Sequence, residues 1–202
     1  MSALGCRAVL FDFDGTLTRP EALDFAAVRK ALGCAPGSPL LEFIDGLATE
    51  EQRQRARAIL DEFEAAAARL SLPNEGVEEL VALLRRNGVP FAILSRNARA
   101  SILRALENFP TLREADFSFI LTRESTDRPK PHPDGVHRAA ELFRLSPKEV
   151  LVVGDFIYDI QAGSRAGSPT VLVTNGRSLP PFEPAPDYTV TTVAQIAPLL
   201  GL

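Results

Sequence analysis

Two carboxylates follow an apolar run near the start of the chain. In the stretch VLFDFDGTLT, residues 9–18, Asp12 and Asp14 bracket Phe13. Residues two apart on a strand lie on the same face, and open α/β sheets bind ligands beyond the carboxyl ends of their strands. An Asp-Gly turn that ends the strand is the alternative, and for this motif alone it is the commoner explanation. A turn does not require Asp12, however, and the residues after Gly15 lack the alternation of a second hairpin strand.

A hydroxyl group follows a second apolar run. Ser95 comes directly after residues 89–94 and just before a helix that the sequence predicts to start near Ala98. A hydroxyl beside the free amides of a helix N-terminus is a good ligand for a phosphate oxygen. The alternative is a helix cap, which Asn97 can supply by itself. Taken alone, this position favours the cap over a phosphate site.

A lysine lies in a proline-rich loop, RPKPHPDG, at residues 128–135. The prolines around Lys130 stiffen the loop and hold its ammonium group more firmly than a free surface does. Such a point charge suits a phosphate group. An isolated loop lysine is more often solvated, and His132 is interpreted as a loop histidine rather than a base.

A second pair of carboxylates occurs in GDFIYD, residues 154–159. The motif follows the apolar run VLVV, so Asp155 has the strand-end position that Asp12 has on the first strand. Asp159 falls in the first turn of the next helix, where the helix dipole favours a carboxylate. The dipole alone explains Asp159, but it does not explain Asp155.

The elements that must position these residues alternate between strands and helices. Strands are predicted at 8–13, 89–94, 117–121, 150–153 and 170–173, with a weaker one at 188–190. Helices are predicted at 76–86, 98–107, 134–143, 158–166 and 193–200. Such alternation is typical of an α/β fold with a parallel sheet. Strands that are apolar throughout are expected where helices cover both faces of the sheet.

One segment interrupts this alternation. Residues 18–72 contain no convincing strand, whereas the ranges 21–32 and 50–70 have the apolar periodicity of helices. Prolines at positions 36 and 39 break the segment internally. We interpret the segment as a small helical insertion on the loop after the first strand.

Composition excludes several classes of protein. The chain has 202 residues, of which 46% are hydrophobic and 24% charged, as in soluble globular proteins. A net charge of −4 argues against nucleic-acid or anionic-membrane partners. Cys6 and Cys34 form no disulfide framework or zinc motif, and Asp12 and Asp14 interrupt the apolar run that a signal peptide would need. We expect a cytoplasmic protein, a monomer with a dimer as the alternative.

In chain order the motifs read DFDGT, Ser95, Lys130 and GDFIYD. In this order and spacing they resemble the haloacid dehalogenase superfamily, specifically its phosphoglycolate phosphatase-like members. The resemblance covers essentially the whole chain, including the closing PDYTV and the helix predicted after it. It implies a Rossmann-like core in which the strands before Asp12 and Asp155 are neighbours.

The resemblance also implies a division of the chain. Residues 1–17 and 73–202 would form the catalytic core, and residues 18–72 would form a small α-helical cap inserted after the first strand. The cap is short for the family, and no comparable insertion lies between Ser95 and Lys130. These features leave the substrate open.

Roles carried over from the family assign the reaction to a few residues. Asp12 would be the nucleophile, and Asp14 the general acid and then the general base. Ser95 and Lys130 would hold the transferring phosphoryl group, and Thr16 would help to orient the loop. Relatives that displace halide generally lack the second aspartate, so Asp14 favours phosphate chemistry over dehalogenation.

The same resemblance implies a Mg²⁺ site. Asp12, Asp155 and the main-chain carbonyl of Asp14 would bind the ion, and Asp159 would support it directly or through a neighbour. Arg96 departs from the small residue or asparagine that many relatives have after the Ser/Thr. It is a candidate substrate-binding residue, although a side chain pointing to solvent is the favoured interpretation.

The predicted function is hydrolysis of a small phosphorylated metabolite through an aspartyl-phosphate intermediate, with Mg²⁺ as cofactor. A sugar phosphomutase of the same family is the alternative, since the same residues can return the phosphoryl group to a sugar. A non-catalytic binding protein that retains the fold is the third possibility. Loss of a motif carboxylate would favour it, and none is lost.

Overall fold

The computed structural model describes residues 5–20 and 22–202. Within these residues the strands form one parallel, six-stranded sheet in the order β3-β2-β1-β4-β5-β6. The strands are β1 Ala8–Phe11, β2 Phe91–Leu94, β3 Ile120–Leu121, β4 Val150–Gly154, β5 Thr170–Val173 and β6 Tyr188–Val190. β1 therefore lies between β2 and β4, with its carboxyl end at the middle of the sheet edge.

Helices cover both faces of the sheet, as the apolar strands predict. They are α1 Phe25–Leu32, α2 Leu40–Asp45, α3 Glu50–Leu70, α4 Val77–Arg86, α5 Arg99–Leu106, α6 Asp134–Phe143, α7 Ile157–Ala166 and α8 Ile196–Leu199. Along β1, Ala8 and Leu10 pack in a cluster with residues of α6 and α7. Val9 and Phe11 pack in another with residues of α4, α5 and α8.

Three strands are shorter than predicted: β2, which begins at Phe91 rather than at residue 89, and also β1 and β3. β1 ends at Phe11 rather than at residue 13, because the chain turns there and the Leu17 amide donates to the Phe13 carbonyl at 2.9 Å. β3 contains only two of the five residues predicted at 117–121. It lies at the edge of the sheet and pairs only with β2.

The helix predicted at 21–32 begins later, at Phe25, because Asp24 caps it. One carboxylate oxygen of Asp24 accepts from two amides of the first turn, at 3.0 and 2.9 Å. Residue 21 lies outside the described residues. The sequence analysis missed the short helix α2, which begins directly after Pro39, and the helix predicted at 193–200 is a 3₁₀ turn followed by α8.

The inserted segment, residues 18–72, has an apolar cluster of its own between α1, α2 and α3. Its buried members include Val28, Ile44 and Leu60. An isolated antiparallel bridge between Thr18 and Pro73 brings the two ends of the segment together. At its carboxyl end α3 packs against α5, and Ala68 joins the apolar cluster of the sheet.

Among the described residues, no helix has both the length and the apolar character needed to cross a lipid bilayer.

Candidate active site

Asp12 and Asp155 lie at the carboxyl ends of neighbouring strands. β1 and β4 pair in parallel with Phe11 opposite Val153, and the Asp12 amide donates to the Val153 carbonyl at 2.8 Å. Asp155 follows β4 by one residue. The two carboxylates predicted from separate motifs therefore meet at one edge of the sheet.

Lys130 joins Asp12 to Asp159. Its Nζ donates to Asp12 Oδ1 and to Asp159 Oδ1, each at 2.6 Å, and its side chain is only 4% exposed. Burial acts to lower the pKa of Lys130, but the two carboxylates outweigh it and raise that pKa overall. The ammonium is therefore held charged against Asp12. Asp159 is fixed in turn at the start of α7, where its Oδ2 accepts from the Phe156 amide at 3.2 Å.

Arg177 pairs with Asp155 from the loop after β5. Its Nη2 donates to Asp155 Oδ2 at 2.7 Å. Burial and the nearby Asp159 carboxylate still raise the pKa of Asp155 to about 6. Burial also raises the pKa of Asp12 well above its usual range, with Asp159 and Asp155 adding to the effect and Lys130 opposing it. Among the described residues, Lys130 and Arg177 therefore do not fully offset the negative charge of Asp12, Asp155 and Asp159.

Two glycines let the backbone approach these carboxylates. Gly15 has a φ of +73°, and a Cβ atom there would overlap the Asp155 carboxylate. A Cβ atom on Gly154 would overlap the Asp159 side chain in the same way. A larger residue at either position would displace a carboxylate of the site.

Asp14 faces a different set of residues. Its Oδ2 accepts from Asn97 Nδ2 at 2.7 Å, and burial raises its pKa against the lowering effect of that bond. Asn97 is therefore not the helix cap that the sequence analysis allowed; Ala98 takes the N-cap position without a side-chain bond. Ser95 Oγ accepts from the Asn97 amide at 3.1 Å, and in the part of the chain that the structure describes its hydroxyl donates to no other group.

A pair of asparagines supports the loop after Asp14. Asn175 Nδ2 donates to the Gly15 carbonyl at 2.7 Å, and Asn74 Nδ2 donates to the Thr16 carbonyl at 3.1 Å and to Asn175 Oδ1 at 2.9 Å. The sequence analysis missed both, although each follows the end of a predicted element. Thr16 is fully buried, and its hydroxyl has no hydrogen-bond partner among residues 5–20 and 22–202. The hydroxyl therefore makes no hydrogen bond to the carboxylates of Asp12, Asp14, Asp155 or Asp159.

Comparison with known proteins agrees with this geometry. A model of haloacid dehalogenase-like hydrolases matches residues 6–167. The chain belongs to the haloacid dehalogenase-like hydrolase family. The match spans every motif residue from Asp12 to Asp159.

Individual proteins resemble the chain over nearly its full length. An uncharacterised hydrolase of Saccharomyces cerevisiae is 34% identical over 96% of this chain and 90% of the relative. The N-acetylmuramic acid 6-phosphate phosphatase of Pseudomonas aeruginosa is 28% identical over 92% of this chain and 89% of the relative. The crystal structure of a hydrolase from Pseudomonas syringae has a TM-score of 0.79 at 21% identity, covering 95% of this chain and 96% of that one.

These findings confirm the predicted family, the α/β fold and the assignment to hydrolases of the phosphatase type. They do not test the roles of individual site residues or the boundaries of the inserted segment. Those roles and boundaries stay predictions.

The carboxylates of this haloacid dehalogenase-like hydrolase fit a divalent cation. One oxygen from each of Asp12, Asp155 and Asp159 lies within 4.8 Å of the other two. Carboxylate oxygens are the ligands that Mg²⁺ prefers. The raised pKa values of Asp12 and Asp155 have mutual repulsion among their causes, and a bound cation would relieve it.

Arg96 does not point to solvent, contrary to the favoured interpretation of the sequence. Its side chain is 18% exposed, and its two terminal nitrogens donate to the two carboxylate oxygens of Glu42 at 3.0 and 2.6 Å. Nη1 also donates to the Lys130 carbonyl, and Cζ lies 4.8 Å from the centre of the Tyr158 ring. The residue therefore joins α2 of the inserted segment to the lysine loop of the core.

A second contact between the inserted segment and the core involves a buried acid. Glu64, on α3, accepts from the Ala98 amide at 3.0 Å and from Arg123 Nη1 at 2.5 Å. Arg123 also pairs with Asp61. Burial raises the pKa of Glu64, while Arg123 acts in the opposite direction. The sequence offered no signal for this group, because its partners are separated by 34 and 59 residues.

We expect Arg123→Gln to destabilise the protein by about 3 kcal/mol at neutral pH, because it leaves the buried Glu64 charge without its cation. Without Arg123, the pKa of Glu64 in the folded state rises further above its usual range. The folded variant then binds a proton more readily than the unfolded chain. Its free energy of unfolding therefore falls as the pH rises from the pKa of Glu64 in the unfolded chain to its higher pKa in the folded one. The deficit should be large at pH 8 and smaller at pH 5.

Urea unfolding at pH 5 and at pH 8 measures the loss of stability in Arg123→Gln. The double variant Glu64→Gln, Arg123→Gln removes the buried charge and should recover most of the lost stability at pH 8. Equal deficits at both pH values would show that Glu64 is not the group responsible.

Proposed function

We propose that the protein is a Mg²⁺-dependent hydrolase of phosphate monoesters that acts on a small phosphorylated metabolite through an aspartyl phosphate. The observation that supports this best is the Asp12 carboxylate, held at 2.6 Å by a buried lysine. It lies at the end of β1, within reach of Asp155 and Asp159. A carboxylate in this position can attack phosphorus if cations offset its repulsion from the phosphate dianion.

The first half of the reaction forms the intermediate. Asp12 attacks phosphorus with one carboxylate oxygen, and the bond from phosphorus to the ester oxygen breaks. Lys130, already beside Asp12, attracts the phosphoryl oxygens, and the Ser95 hydroxyl donates to one of them. Covalent catalysis of this kind divides one difficult step into two easier ones.

Asp14 handles the protons in both halves. It gives a proton to the leaving alkoxide and then takes one from the water that attacks the aspartyl phosphate. Burial raises the pKa of Asp14, which favours the protonated form that gives this proton. General acid–base help of this kind contributes roughly 10²–10⁴-fold to the rate. Asn97, bonded to the Asp14 carboxylate, would keep it in position.

Mg²⁺ would be held by Asp12, Asp155 and Asp159 together with the main-chain carbonyl of Asp14. When bound, it supplies positive charge for the phosphoryl oxygens. Arg177 keeps Asp155 oriented at the edge of this cluster.

Release of inorganic phosphate from a panel of phosphorylated metabolites tests the proposed activity directly. We expect turnover with Mg²⁺ and none in excess EDTA. A requirement for a sugar bisphosphate activator, with a phosphosugar isomer as product, would instead indicate a phosphomutase. Absence of turnover across the panel would favour a binding protein.

Asp155→Asn should weaken Mg²⁺ binding at least tenfold and remove most of the activity, because the site loses one of its charged oxygen ligands. Isothermal titration of Mg²⁺ measures the affinity without reference to turnover. Asp127→Asn is the matched control, since Asp127 is exposed and lies in the loop before Lys130. Unchanged Mg²⁺ affinity in Asp155→Asn would contradict the proposed metal site.

The inserted segment would act as a cap that selects the substrate. The carboxylates and the lysine proposed for the reaction all lie outside residues 18–72. The segment nevertheless reaches the loop after β2 through Glu42 and Glu64. Closure of such a lid positions the substrate and excludes water.

A further inference from the structure

The Arg96 guanidinium has the geometry of a carboxylate receptor. A guanidinium presents its N–H groups in a planar fork that matches the two oxygens of a carboxylate. Glu42 fills this fork with both oxygens, at 3.0 and 2.6 Å. It is the only carboxylate paired with Arg96 among the described residues.

The receptor belongs to the core, whereas its occupant belongs to the inserted segment. Besides Glu42, the guanidinium contacts the Lys130 carbonyl and the Tyr158 ring, both from the core. The Arg96 side chain is 18% exposed and that of Glu42 is 46% exposed. If the inserted segment moves away, Glu42 leaves with it and Arg96 keeps its other contacts.

The receptor also lies beside the residues proposed to hold the phosphoryl group. Arg96 follows Ser95 in the chain, and it binds the main chain of the lysine whose ammonium contacts Asp12. The guanidinium therefore adjoins, through the chain and through a main-chain bond, both residues that would hold the phosphoryl group of a bound ester.

The Tyr158 ring that contacts Arg96 also packs against a second aromatic ring, that of Phe156. Phe156 is 52% exposed, and its ring lies edge-on to Tyr158 with 4.9 Å between ring centres. The guanidinium carbon of Arg96 lies over the Tyr158 ring, 4.8 Å from its centre. Lower access of water on that side strengthens the attraction of Arg96 for an anion.

We propose that Arg96 determines specificity by binding a carboxylate on the leaving group of the substrate, and that Glu42 occupies this position when no substrate is bound. The preferred substrates are then small phosphate monoesters of hydroxy acids. This inference rests on the proposed function, because it assigns a substrate class to the same site. Glu42 acts as an internal competitor that an incoming carboxylate displaces.

A matched pair of esters tests the proposal. 3-Phosphoglycerate and glycerol 3-phosphate differ in having a carboxylate or a neutral hydroxymethyl group at the end of the leaving group. The wild type should prefer 3-phosphoglycerate by at least tenfold in kcat/KM. Arg96→Gln should reduce this preference to near one, and Glu42→Gln should increase it, because the competitor is gone.

The two variants should change the preference for 3-phosphoglycerate in opposite directions, and this distinguishes the proposal from a simpler one. If the ion pair only holds the inserted segment against the core, Glu42→Gln and Arg96→Gln should change both esters in the same direction. Glu62→Gln removes an exposed carboxylate from α3 and should leave the preference unchanged. A wild type without preference would also overturn the proposal.

Binding can be measured without turnover. In the Asp12→Asn background, calorimetry in Mg²⁺ should show 3-phosphoglycerate binding at least tenfold more weakly when Arg96→Gln is added. Equal affinity with and without Arg96→Gln would reject the receptor. Failure of the wild type to hydrolyse any phosphate ester would contradict the proposed function. Hydrolysis of both esters with a preference that neither variant alters would contradict this inference alone.

Discussion

Asp12→Asn is expected to abolish turnover, lowering kcat by about 10⁴-fold or more, as loss of a covalent nucleophile does in other enzymes. The amide is close in size to the carboxylate, and its oxygen can still accept from Lys130. The protein should therefore remain folded, since the Lys130 ammonium retains its bond to Asp159. Phosphate release measured with a coupled assay gives the rate.

Rapid acid quench of the wild type should trap phosphate on Asp12, and peptide mapping locates it. The same experiment on Asp12→Asn should trap none. Asp127→Asn again serves as the control for loss of an aspartate charge. Activity in Asp12→Asn within tenfold of the wild type, in a folded protein, would contradict the role of Asp12 as nucleophile.

The adjacency of Asp12 and Asp155 could be predicted from local sequence and the resemblance together. Each carboxylate follows an apolar run, and both runs are buried throughout. Parallel strands bring their carboxyl ends to one edge of a sheet, so residues after them are candidates for the same site. The resemblance to the family implied that the strands before Asp12 and Asp155 are neighbours, and the structure confirms this pairing of β1 with β4.

Two ion pairs around the site, Arg177–Asp155 and Arg96–Glu42, could not be predicted in the same way. Arg177 reaches Asp155 from a loop 22 residues later, and Arg96 meets Glu42 across 54 residues. Neither pair has a periodic or local pattern, because each depends on how loops pack in three dimensions. Arg96 on its own resembles any loop arginine, so the sequence favoured solvent for a side chain that the structure places between two units.

The short helix α2 shows a related limit. It has only six residues, and its cap position is a proline without a side-chain bond. Neither the length nor the cap provides a strong helix signal. Its packing against α1 and α3 in the apolar cluster of the inserted segment stabilises it instead, and that packing is not visible in the local sequence.

Lys130→Met should remove nearly all activity and also destabilise the protein without metal by about 3–5 kcal/mol, as breaking a buried ion pair does. Two carboxylates, Asp12 and Asp159, lose the ammonium that bonds to each of them at 2.6 Å. Methionine has a similar length and preserves the packing. The loss of activity follows because Asp12 then faces the phosphate dianion without this cation.

The loss of stability and the loss of activity in Lys130→Met should respond differently to Mg²⁺. Removing the ammonium makes the carboxylate cluster more negative, so the folded variant should bind the cation more tightly than the wild type. A ligand that binds only the folded state stabilises that state by an amount that grows with the logarithm of the ratio of ligand concentration to dissociation constant. Mg²⁺ should therefore raise the Tm of Lys130→Met more than that of the wild type, while activity stays low. A smaller rise in the variant than in the wild type would show that Lys130 and Mg²⁺ do not share these carboxylates.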